Sequence, residues 1–114
     1  MFATHFLTLV LLVVWLHFIG DFILQSDRMA TSKSSSVKWL TIHIAVYALP
    51  LLLLGWQYAM INGALHWVTD FFSSKASRYF YQRKQNHWFF AVIGLDQAIH
   101  MTCLILTLNK WAVF

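Results

Sequence analysis

Four apolar stretches separated by two short basic blocks constrain this chain more than any other feature. A transmembrane helix needs about 20 mostly apolar residues, and residues 2–24, centred on the run Leu7 to Leu16, supply one. No Lys or Arg precedes this stretch and no small-residue site closes it, so it is expected to remain as a span, not a cleaved signal. Residues 25–38, rich in Ser, Thr and Lys, read as a loop. A second apolar segment covers 39–56 and carries Pro50, a natural kink point. An uncharged, tight connection is expected within 55–63, and a shorter, more polar third segment at 57–73 needs neighbours to insert. Residues 74–87 form a basic, aromatic interfacial loop, and a fourth segment runs over 88–109.

Composition agrees. Hydrophobic residues make up 60% and charged residues 11%, against about 45–50% and 25% in soluble domains. With a single Cys, a disulfide scaffold is excluded, and so is a disordered chain. The expected architecture is one domain over 1–114, an all-α integral membrane four-helix bundle. Arg28, Lys33 and Lys38 sit in one basic loop and Lys75, Arg78, Arg83 and Lys84 in the other. Lys and Arg favour the cytoplasm, so the expected placement is a multi-pass protein of the inner membrane with both termini outside. The same residues are expected to touch anionic lipid headgroups; loops this short argue against nucleic acid.

Ionisable residues inside spans cost about 2.5–3.5 kcal/mol each, yet each segment has them. The first carries His17 and Asp21, with Gln25 a turn later; the second His43, followed by Tyr47. The third carries His66 and Asp70, flanked by Thr69 and Ser73, and the fourth Asp96 and His100, with Gln97 between. Residues four apart share a helix face. At 1.5 Å per residue all seven His and Asp fall roughly 6–18 Å from the cytoplasmic boundary. Asn62, near the far end of the third segment, reads as a cap or an interfacial group, and Cys103 as a marginal ligand. Leu16-His17-Phe18-Ile19-Gly20-Asp21-Phe22 also matches Leu65-His66-Trp67-Val68-Thr69-Asp70-Phe71. Such a match suggests two parallel two-helix repeats.

The run from Leu16 to Gln25, continuing to Met29-Ala30 and Lys33, resembles a family of small bacterial and phage membrane proteins catalogued as a domain of unknown function. His43 to Tyr47, His66 to Asp70 and Asp96-Gln97-Ala98-Ile99-His100 look like its later motifs in the same order. The resemblance implies a membrane protein, marks these His, Asp and Gln positions as signature residues, and implies no reaction.

His17, Asp21, His43, His66, Asp70, Asp96 and His100 form a borderline N/O donor set suited to a divalent transition metal such as zinc, manganese or iron. Gln25 and Gln97 would orient the ligands. A metal there could drive hydrolysis of a lipid-linked or phosphorylated substrate. Glu is absent from the chain, so the catalytic candidates are Asp70 and Asp96. Two other readings remain open. One is a proton or cation transporter, which four helices would build only as a homo-oligomer. The other is a small structural subunit of a larger membrane complex, its His–Asp pairs clamping helices together.

Overall fold

A computed structural model describes residues 2–111. Its elements are α1 (Phe2–Phe18) with a π-helical turn (Ile19–Ile23), α2 (Asp27–Ser32), α3 (Val37–Leu51) with a 3₁₀ turn (Leu52–Leu54), α4 (Trp56–Gln82) and α5 (Asn86–Trp111). Among the described residues there is no strand, in keeping with the all-α expectation. Three stretches, His5–Ile23, Val37–Leu54 and Asn86–Lys110, are long and apolar enough to cross a membrane. The four long helices close a ring in which α1 packs on α3, α3 on α4, α4 on α5 and α5 on α1.

Helix boundaries differ from expectation in three places. The basic stretch 74–87 is not a loop, because α4 continues to Gln82. No Gly or Pro interrupts residues 64–93, and the serines are accommodated within the helix: Ser74 Oγ donates to Asp70 O at 2.6 Å and Ser77 Oγ to Ser74 O at 3.1 Å. Charge reports which solvent a helix meets, not whether the helix forms. The stop comes at Lys84, whose φ of 58° lets Gln85 N donate back to Phe80 O at 3.0 Å. This is the six-to-one closure of a helix C-terminus.

The polar stretch 25–38 contains α2, started by Ser26, whose Oγ accepts from Met29 N; Ser36 starts α3 in the same way. The connection expected within 55–63 shrinks to the 3₁₀ turn and Gly55, with φ 117°, so Gln57 to Gly63 belong to α4. Pro50 therefore lies in the last turn of α3, where it helps to end the helix.

The end of the bundle away from the α4–α5 turn is closed by apolar packing of Val13, Leu16, Leu51, Leu54, Leu104 and Leu108 around Tyr47 and Tyr58. Tyr58 OH donates to Leu104 O at 2.7 Å. Asn62 is no cap: it is buried in α4 and donates to Tyr58 O and to Thr107 Oγ1, each at 3.0 Å, pinning α4 to α5. The molecule is 50 Å long, against a hydrocarbon core of about 30 Å.

Candidate metal centre

The end of α1, the first turns of α3, the middle of α4 and the middle of α5 converge on one buried polar layer. His17, Asp21, His43, His66, Asp70, Asp96 and His100 are all buried, none more than 8% exposed. Asp21 reaches the layer through the π turn, which brings Gly20 against α3. A Cβ on Gly20 would lie 2.8 Å from Tyr47 O and 3.3 Å from Tyr47 Cα. Only glycine permits that approach. A π turn replaces one α turn here, as such turns often do at functional sites.

Four donor atoms from α3, α4 and the π turn meet at the centre. His43 Nε2 lies 3.1 Å from Asp21 Oδ1, 3.2 Å from Asp70 Oδ2 and 3.3 Å from His66 Nε2. His66 Nε2 lies 3.5 Å from Asp21 Oδ1 and 3.2 Å from Asp70 Oδ2. A tetrahedral ion with bonds of about 2.0–2.1 Å has ligand–ligand edges of about 3.3–3.4 Å. These five edges, between 3.1 and 3.5 Å, bracket that value. Asp21, Asp96 and His100 form a second close group, with His100 Nε2 3.0 Å from Asp96 Oδ2 and 3.3 Å from Asp70 Oδ1. The His66 and His100 rings stack, centroids 3.7 Å apart at 7°.

A model of a family of proteins of unknown function, DUF3307, matches residues 6–113. The chain belongs to this family. No curated protein and no solved structure gave a match.

In this DUF3307 chain the expected ligands do not all play one part. His17 stands outside both close groups. Its Nε2 faces Gln97 Oε1 at 2.7 Å and its Nδ1 faces Tyr47 OH at 3.0 Å. Both ring nitrogens are thus engaged by side chains that are not carboxylates, and Asp21 Oδ2 is 3.8 Å from Nε2. Gln97 is central: its Nε2 donates to Asp21 Oδ2 and Asp96 Oδ2, each at 3.1 Å. Those two carboxylates fix which way its amide points. Gln25 makes no such contact through its Oε1, which is buried without a hydrogen-bond partner. Cys103 is half-buried and belongs to neither close group.

Lys33, read from sequence as a topology and headgroup residue, enters the layer instead. Its Nζ donates to Asp70 Oδ2 at 3.0 Å, with the side chain 18% exposed. Its place in the family-like run sets it apart from Arg28 and Lys38, but the pairing itself comes from the turn after α2 lying beside α4. Ser73 Oγ donates to Asp96 Oδ1 at 2.5 Å. The matched segments around His17 and His66 also differ in place: the first unwinds into the π turn, while the second is continuous α-helix.

Proposed function

We propose that this chain is a metal-binding membrane protein whose divalent cation is held by Asp21 Oδ1, His43 Nε2, His66 Nε2 and Asp70 Oδ2. The observation that carries this reading is the set of near-tetrahedral edges among four buried donors. Charge supports it. Imidazoles that hold a cation are neutral, and Asp21, Asp70 and Asp96 then face a single ammonium, that of Lys33, leaving two negative charges for the ion to balance. Buried charge without a partner is strongly unfavourable, and a divalent ion balances it. Zinc, manganese and iron all accept this donor set. On this reading α4 is the fourth span, and the basic end of the bundle faces the cytoplasm.

The reaction we assign is hydrolysis of a lipid-linked or phosphorylated substrate. A bound cation would polarise the scissile bond and bring the pKa of a bound water towards neutrality. Asp96 takes the role of base because it lines a groove of about 390 Å³ between α4 and α5, walled by Val68, Phe72, Leu95 and Ile99. Asp70 is the ligand able to yield its place, since Lys33 and His100 hold it as well.

Elemental analysis of the detergent-purified protein tests the reading. One transition-metal ion per chain is expected, lost in His43→Ala and in His66→Ala. His17→Ala should retain the ion with affinity reduced by about 10–100-fold, the usual effect of removing a residue behind the ligands. Asp96→Asn should retain it and lose hydrolytic turnover. Protein that stays metal-free after incubation with Zn²⁺ and Mn²⁺ would overturn the proposal and leave a proton relay or a helix clamp.

A further inference from the structure

A second site lies at the basic end, on the opposite side of α4 from the Asp96 groove. The turn between α2 and α3 is tied to α4 twice, at Lys33 and at Ser34. Lys33 Nζ donates to Asp70 Oδ2 at 3.0 Å, and Lys75 Nζ donates to Ser34 O at 3.1 Å while lying 4.1 Å from the centroid of the Phe71 ring. These ties hold the turn away from the end of α4 and the start of α5. Between them is a cleft of about 480 Å³. Ser74, Arg78 and Gln82 line it from one face of α4, four residues apart, opposite Thr31 and Ser34, with Phe89 beside them.

The charge balance of this cleft is one-sided. The chain has four acidic side chains, all Asp; three are buried in the polar layer and the fourth, Asp27, lies in the first turn of α2. None lines the cleft. Other cations nearby are engaged. Lys33 and Lys75 hold the turn, Arg28 lies 4.9 Å from the centroid of Trp39, and Arg83 lies 3.6 Å from that of Tyr79. The Arg78 side chain has no hydrogen bond or ion pair among the described residues. A guanidinium fork flanked by hydroxyl and amide donors matches a phosphate group, which accepts bidentate Arg bonds and further hydrogen bonds on its remaining oxygens.

We infer that the cleft binds a phosphomonoester, with Arg78 as its anchor and Ser34 and Gln82 as accessory donors. The phosphate can belong to a lipid headgroup or be free in solution. The inference needs no ion in the cation site: none of the four central donors lines the cleft, and the Lys33–Asp70 tie is made without one.

Calorimetric titration of the detergent-purified chain tests it with three probes: dihexanoyl phosphatidic acid, dihexanoyl phosphatidylcholine and inorganic phosphate. Saturable binding of phosphatidic acid is expected, weakened at least about tenfold by Arg78→Ala and less by Arg78→Lys, which keeps the charge but not the fork. Arg83→Ala, whose side chain lies outside the cleft, should stay within about twofold. If phosphate alone binds with the same dependence on Arg78, the free ion suffices as ligand. If only phosphatidic acid does, the ligand is a lipid. Unchanged binding by Arg78→Ala, or phosphatidylcholine binding as tightly as phosphatidic acid, would overturn the proposal. Metal content of Arg78→Ala, expected at the wild-type level, separates this result from any failure of the cation site.

Discussion

Asp70→Asn is expected to destabilise the protein by about 3 kcal/mol, the low end for breaking a buried ion pair. Asp70 is 1% exposed, and one of its oxygens faces Lys33, His43 and His66 while the other faces His100. An amide offers one acceptor and presents an NH₂ group where a second acceptor was needed. Part of the loss is recoverable, because the Lys33 side chain is 18% exposed and its ammonium can turn to water. Denaturant titration in detergent, repeated with Lys33→Met and with the double variant, measures the coupling. The effect of Asp70→Asn should be clearly smaller in the Lys33→Met background. A single-variant effect below about 1 kcal/mol would mean that the ammonium and the imidazoles are satisfied elsewhere. With EDTA present throughout, the comparison isolates the ion pair from bound metal.

Gly20→Ala is the second large effect. The added methyl would meet backbone atoms of Tyr47 at 2.8 and 3.3 Å, and a helix backbone cannot turn aside as a side-chain tip can. Overpacking of this kind costs about 1–3 kcal/mol. The π turn must then move off α3, taking Asp21 from His43 and loosening Tyr47 from His17. Both stability and metal content are therefore expected to fall. Gly94→Ala is the natural control: nothing lies within 4 Å of a Cβ there, so helix propensity alone should raise stability, by about 0.5–1 kcal/mol. If the two substitutions behave alike in thermal unfolding, the close approach at Gly20 does not hold the site.

The level of the polar layer was legible in the sequence because i, i+4 spacing and helix rise are local properties. His17 with Asp21, His66 with Asp70, and Asp96 with His100 could each be placed from chain position alone. Their partners could not. The diversion of His17 to Tyr47 and Gln97, and the pairing of Asp21 with His43 on another helix, depend on how helices rotate about their axes. Single-chain periodicity does not carry that information. The π turn was hidden for a related reason: it shifts Asp21 by a fraction of a turn without changing the residue pattern. The far end of α4 was misjudged because Lys75, Arg78 and Arg83 mark exposure to water, while Gln85 and the φ of Lys84 mark where the helix stops. Gln25 and Gln97 looked equivalent by type, and only their burial partners tell them apart.

The apolar packing beneath the layer has a consequence for traffic. Val13, Leu51, Leu54, Leu104 and Leu108 fill the bundle on the side away from the basic turns, and an ion entering such a region would shed its hydration against a wall broken only by Tyr58, Asn62 and Thr107. Packing of this kind favours a cul-de-sac over a corridor. On the reading proposed above, an ion that enters past Lys33 would have its residence time set by how readily that ammonium lets go of Asp70.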